Sequence, residues 1–339
     1  MWFLPFYTLG MFRGVSFFFA VCCFAQPSHE RVAAIDMYGS AAVDFGQLRA
    51  AFPYRPGDAF EPREIEREGA SVEFRKLIGT NRFSVAPIFA PELKGWVLYV
   101  DVEPSDVPPV VWNPAPAGVE NLPARIVGLY EHAMDRMVNG GINAGDETTN
   151  GYSLSKDPIM REDELKLVDF ARAHTDLICA VLKGSKSRLD RIAAAWIVGY
   201  AAKSSEQLAA LLRAATDPDS TVRNNAIRVL AVLASSDGNV TRQIPVAPFI
   251  PMLRSLNWTD RNKAMMLLGP ITAARDPKTM ESLRAQAVQP LRQMSRWTDW
   301  GHASLALVLL GRIAGIPEDR LQGFLRAHDA RSILDQARI

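Results

Sequence analysis

The stretch Asp217-Pro218-Asp219-Ser220-Thr221-Val222-Arg223-Asn224-Asn225-Ala226 decides how the C-terminal half of this 339-residue chain folds. Pro218 lacks an N–H, and its ring clashes with the carbonyl four residues back, so one helix ends there. Asp219 or Ser220 is placed to cap the next helix by accepting a backbone N–H. Val222, Ala226, Val229, Leu230 and Leu233 then follow at helical spacing and define one buried stripe. Ala226 allows close approach of two helices. Arg223 is expected to run along the turn to a carboxylate or carbonyl of an adjacent unit.

The same arrangement recurs on either side. An arginine precedes a small residue by three in Arg191/Ala194, Arg223/Ala226 and Arg261/Ala264, and Trp300/Ala303 is expected to take that place in a last copy. The steps are 32, 38 and 39 residues. Periods of this size mean helical hairpins, each unable to bury its apolar face alone and each completing its neighbour's core. Helices are expected over 163–183, 187–202, 204–216, 220–235, 247–256, 259–274, 277–295, 299–314 and 317–328. On these residues the segment 161–339 resembles the HEAT-repeat family. The resemblance implies an α-solenoid that holds a partner rather than transforming one.

Residues 30–103 read differently. A strand over Arg31–Met37 leads to Tyr38-Gly39. An amphipathic helix follows around Val43–Phe52, then the turn Pro56-Gly57-Asp58, then a charged helix over Glu61–Ile78. Strands over Arg82–Phe89 and Gly95–Val102, joined by Pro91-Glu92-Leu93-Lys94, close the unit. This β-α-α-β-β order, with Gly39, Leu48, Gly57-Asp58, Phe60 and Val100-Asp101-Val102-Glu103, resembles a POTRA domain. That resemblance implies action outside the cytoplasmic membrane and a sheet edge lent to a client polypeptide. No alternating strands of a membrane barrel follow it in the sequence. The expected fold is thus an α+β POTRA-like domain followed by an all-α HEAT-type solenoid. Between them lie a proline-rich, extended linker over 104–123 and a helix plus long loop over 124–160.

Residues 1–25 read as a signal peptide. Arg13 precedes an apolar run from Val15 to Ala25 that is too short to cross a bilayer, and Cys23-Phe24-Ala25 places small residues before Gln26-Pro27. An uncleaved anchor, or lipidation at Cys22 or Cys23, remains an alternative. Cys179 then stands alone in an apolar run, so no internal disulfide forms. The expected location is periplasmic or secreted, with no membrane-spanning domain in the mature chain and possible envelope association. Nucleic acid is disfavoured as a partner by that location. Net charge is +1, but residues 26–160 carry −7 and residues 161–339 carry +7: either each half has a solvated charged face, or the halves dock on each other, or the basic half meets an anionic partner.

The motifs of common enzymes are absent, and no cofactor or metal is expected. The scaffold reading makes the partner a protein or peptide. Trp258, Trp297 and Trp300, with Arg261 and Arg296, are the candidate contact residues, since aromatics and arginine anchor interfaces. The competing structural reading has the tryptophans wedged between repeats, with Thr259 or Asp260 and their counterparts as helix caps. The alternative function is an envelope enzyme with a metal or carboxylate site near His132, His174 and the 139–160 loop. Glu131, Asp135 and Asp176 flank those histidines, and Asp146, Glu147, Tyr152 and Asp157 lie in or beside the loop.

Overall fold

The computed structural model describes residues 31–39, 43–61, 72–139 and 145–337. The expected signal peptide lies outside them, as does most of the first half of the helix expected from Glu61. A small mixed sheet is followed by a mostly helical region. Among the described residues no helix is long and apolar enough to cross a membrane.

The sheet has the order β1 (Val32–Gly39), β3 (Gly95–Glu103), β2 (Arg82–Ala90). β1 runs parallel to β3 and β2 antiparallel to it. Side chains alternate across a strand, so β3 presents two faces. Trp96, Leu98, Val100 and Val102 join Leu48 of α1 (Phe45–Ala51), Phe52, and Phe74 and Ile78 of α2 (Val72–Ile78) in one core. Val97 and Tyr99 join the core of the helical half. A central strand covered on both sides reads as a nearly continuous apolar run, which is how Gly95–Val102 reads. Asp101 is the exception, and being fully buried it needs a partner. Gly39 closes β1 at φ +154°, and a Cβ there would stand 1.9 Å from the Val102 carbonyl oxygen, so only glycine fits.

The helical region holds α3 (Ala124–Asn139), α4 (Pro158–Ala173), α5 (Thr175–Gly184), α6 (Arg188–Ile197), α7 (Ser205–Ala214), α8 (Ser220–Ser236) and α9 (Gly238–Gln243). After these come α10 (Trp258–Thr272), α11 (Pro277–Gln286), α12 (Val288–Met294), α13 (Trp300–Ile313), α14 (Glu318–Arg326) and α15 (Ala330–Gln336). A short hairpin, β4 (Asp146–Glu147) and β5 (Leu154–Ser155), occupies the expected 139–160 loop. Three expected helices differ. The one over 163–183 breaks at His174, and α4 begins earlier because Asp157 caps it and Pro158 suits a first helical position. Pro245, Pro248 and Pro251 reduce the one over 247–256 to a single 3-10 turn at Pro251–Arg254. Pro290 splits the one over 277–295 at Ala287.

The internal repeat lies in the buried arginines. Ser187, Asp219 and Asn257 cap α6, α8 and α10, and the fourth residue after each cap is Arg191, Arg223 or Arg261. In all three, Nη1 donates to a carbonyl six residues earlier, on Ser185, Asp217 or Ser255. The guanidinium then reaches a carboxylate: Arg191 holds Asp217 at 2.8 Å, Arg223 holds Asp260 at 2.8 Å, and Arg261 holds Asp101 of β3 at 2.8 Å. The first two carboxylates come from the following helical unit. The third comes from the sheet, because the fourth unit carries none there. Asp299 caps α13, so the residue matching the arginines is Ala303, not Trp300 as the sequence spacing suggests. The positions that supply Asp217 and Asp260 are occupied by Trp297 and His302.

The N-terminal half lies back along the helices in the reverse direction. Tyr38 donates to the Leu253 carbonyl, Tyr99 meets His302 Nδ1 at 2.8 Å, and Asp36 accepts from Thr298. The proline-rich linker is pinned in turn by Asn113 to Thr216, Gly118 to Gly184 and Lys186, and Leu122 to Asp190. Trp112 lies under the Arg223 guanidinium at 3.8 Å. Tyr130 of α3 receives a bond from Asn225. Successive faces of α6, α8, α10 and α13 are thereby covered by the chain itself.

Replacing Arg261 by Ala should cost about 3–5 kcal/mol of unfolding free energy, since it strands Asp101 as an unpaired buried charge. Asp101→Ala should cost a similar amount, and the double variant less than the two singles combined. Urea titrations of the four proteins check this. Additive losses under about 1 kcal/mol each would refute the central place given to this pair.

Candidate functional site

Of the five residues expected to form a partner surface, Trp258, Arg261 and Trp297 are brought together, but beneath the sheet. Trp258 and Trp297 are 4% and 5% exposed and Arg261 is fully buried. Tyr99 is the hub, with ring centroids 5.1 Å from Trp258 and 4.9 Å from Trp297. Arg261 lies 4.2 Å over the ring of Tyr38. In this arrangement none of the three is open to another molecule. Sequence patterning identified the cluster and could not see its cover, because the covering strands pair with it across separations of 160 to 215 residues. Arg296 is exposed, and half-buried Trp300 stacks on the exposed ring of His328 at 4.4 Å. These two remain accessible.

Ionisation under the sheet follows burial. Asp101 is pushed above the usual carboxylate range by desolvation, with the Arg261 charge holding it partly down. His302 is shifted downward by burial, against the pull of Asp299, which favours the neutral ring. Trp258 Nε1, Trp297 Nε1 and Arg261 Nε find no hydrogen-bond partner among the described residues. A guanidinium that meets its carboxylate through Nη2 alone leaves Nε unused. Arg223, by contrast, bonds its carboxylate through both Nε and Nη2.

The second expected cluster does not assemble as a metal site. His132 Nδ1 meets Asp163 at 2.5 Å, whereas His174 sits at the α4–α5 junction against Phe170. His174 lies eleven residues along α4 from Asp163, roughly 16 Å of helix. No group of three His, Cys, Asp or Glu side chains converges on a metal-sized site among the described residues. Asp157 caps α4 and holds Arg136, and Glu147 pairs with Arg161. Asp146 pairs with Arg228 at 2.8 Å.

Residues that sequence reading missed gather around that last pair. Glu164 is 1% exposed, accepting from the Ser155 amide at 2.6 Å and the Tyr200 hydroxyl at 3.2 Å. Trp196 Nε1 donates to the same hydroxyl, and the Arg228 guanidinium lies 3.9 Å over the Trp196 ring. Beside them Tyr152, Gly199, Val229, Val232 and Leu233 complete a cleft with about 240 Å³ of empty space, open solvent included. Burial, with the Asp146 charge adding to it, pushes the Glu164 carboxyl up to about 7. Burial and the Arg228 charge bring Lys263 down to about 7. A signal existed: Met160, Leu167, Val168 and Ala171 place Glu164 on the apolar stripe of its own helix.

Lys263 fixes a pH dependence. Its folded value lies below the unfolded value of 10.5, so the stability it permits is whole above that pH and is lost as pH falls through about 7. Lys263→Met should therefore gain stability relative to the parent at pH 6, by roughly 4 kcal/mol more than at pH 10. Urea titrations at the two pH values measure the difference, and a constant offset between the proteins would contradict the assignment.

Comparison with known proteins found no protein-family model that matches the chain and no curated protein that matches it.

Proposed function

We propose that the protein is an exported, non-enzymatic scaffold in which a POTRA-like domain and a HEAT-type α-solenoid together bind a protein or peptide. The observation that carries the reading is the recurring arginine unit. The alternate helices α6, α8 and α10 use the same construction at steps of 32 and 38 residues, as stacked repeats do. The order β1-β3-β2, with helices on one face, supports the POTRA-like part of the reading.

The covered helical face directs a partner elsewhere. The outer edge of β1 is closed near its start by Gly57 and Asp58, in the middle by Arg49, and at its end by Gln293, whose amide donates to and accepts from Gly39. From Phe83 to Phe89, β2 has backbone partners only in β3 among the described residues. A free sheet edge takes an extended peptide, and Pro87 limits how long that added strand can be. Arg296 and Trp300 supply a second accessible corner.

A photo-crosslinking residue at Val85 or Arg296, in protein purified with its envelope fraction, should yield a discrete polypeptide adduct identifiable by mass spectrometry. Ser84→Pro should remove the Val85 adduct and leave the helical fold intact by circular dichroism. Correctly folded protein that captures no polypeptide at either position would end the scaffold reading.

A further inference from the structure

Helix α4 carries the marks of the arginine repeat, 30 residues before Arg191. Asp157 caps it, Arg161 is the fourth residue after the cap, and Arg161 Nη1 donates to the Ser155 carbonyl six residues earlier at 3.2 Å. That is the construction of Arg191, Arg223 and Arg261. A second mark agrees. In all four places the side chain two residues before the cap accepts from the amide of the cap residue: Ser155 from Asp157, Ser185 from Ser187, Asp217 from Asp219 and Ser255 from Asn257. Met160, Leu167, Val168 and Ala171 are buried at the spacing of Val222, Val229, Leu230 and Leu233.

Two differences set α4 apart. The third residue after the arginine is Ala194, Ala226 or Ala264 in the later copies and Glu164 here, all of them buried. In the later copies the amide two residues before the cap donates to the closing turn of the preceding helix or 3-10 turn: Ser185 to Val181 at 2.9 Å, Asp217 to Ala214 at 3.0 Å and Ser255 to Met252 at 3.0 Å. Ser155 lies instead in strand β5, and its amide donates to Glu164 Oε2 at 2.6 Å.

We infer that α4 is the first copy of the repeat and that the β4–β5 hairpin is its cap, standing where the end of an outer helix would stand and held there by Glu164. The hairpin meets both needs of an end unit. Strand β4 gives Arg161 a carboxylate, Glu147 at 3.1 Å, which the next two arginines of the row take from the following unit. Asp190 of α6, the match of Asp260 as third residue after the cap, is engaged by the Leu122 amide and by Ser187. Strand β5 brings the Ser155 amide, and Glu164 supplies the acceptor that a helix end supplies elsewhere; an alanine could not reach it. A buried amide left without an acceptor is costly, so the exchange of alanine for glutamate follows from the exchange of helix for hairpin. Tyr200 donates to Glu164 Oε1 at 3.2 Å and fixes the carboxylate from its other side, while Leu154 seats the hairpin in the apolar core. The flank of α4 that carries Glu162, Lys166, Asp169 and Arg172 is exposed and polar, as the outward face of a terminal unit has to be.

This cap rests on the helical half being a row of stacked repeats. Hydrogen–deuterium exchange of the full chain compares the four equivalent amides of Ser155, Ser185, Asp217 and Ser255. All four should be protected in the parent protein. Glu164→Ala, which installs the residue of the other copies, should lower protection at Ser155 by on the order of tenfold to a hundredfold and leave the other three unchanged. Glu164→Gln keeps an acceptor oxygen and should hold Ser155 close to the parent. Free exchange at Ser155 alone in the parent overturns the cap and leaves the repeats standing, whereas free exchange at all four overturns both. Undiminished protection of Ser155 in Glu164→Ala also overturns the cap, as does a loss in Glu164→Gln equal to that in Glu164→Ala.

Discussion

Arg261 needs a carboxylate, and its own helical array does not provide one. Its two predecessors take Asp217 and Asp260 from the next unit, but the corresponding positions ahead are Trp297 and His302. A buried guanidinium without a counter-charge would carry a desolvation cost of several kcal/mol. Asp101 has the mirror problem, as the fully buried carboxylate of a strand covered on both faces. Each half of the molecule thus holds a charge that only the other half neutralises. The surrounding rings of Tyr38, Tyr99, Trp258 and Trp297 exclude water from the pair and make the dependence mutual.

From that one contact the chain's layout follows. With β3 anchored at α10, the linker has to travel back past Thr216, Gly184 and Asp190 before α3 can pack on α4 and α6. Extended proline-rich backbone suits such a path, because it spans distance without demanding internal hydrogen bonds. The opposite charges of the two halves are partly consumed in this docking, through Asp101 with Arg261 and Asp146 with Arg228. Both pairs lie where an unaccompanied helical array would present a free face. The N-terminal half is therefore an integral layer of the core and shares one apolar cluster with the helices.

Several features were open to reading from residue order. The caps, the arginine spacing and the alternation in β3 are local, and local sterics and hydrogen bonding dictate them. Local sterics also account for the helices whose bounds differ from the expected ones. Prolines 245, 248 and 251 forbid an α-helix, Pro290 breaks another, and the N-cap at Asp299 shifts the last unit so that Ala303 matches the arginines. Glu164 could have been noticed as a carboxylate on an apolar stripe. Its partners could not, since Ser155, Tyr200 and Arg228 come from three separate elements.

By itself the sequence determined which segments are strand or helix, where the chain turns, and that charges stand on buried faces. It did so because each depends on neighbours within a turn or two of backbone. Only the tertiary structure decided which charge meets which, and that Trp258, Arg261 and Trp297 face inward rather than outward. A side chain's role at long range is fixed by what is packed over it, and burial is a property of the assembled layers that no local pattern contains.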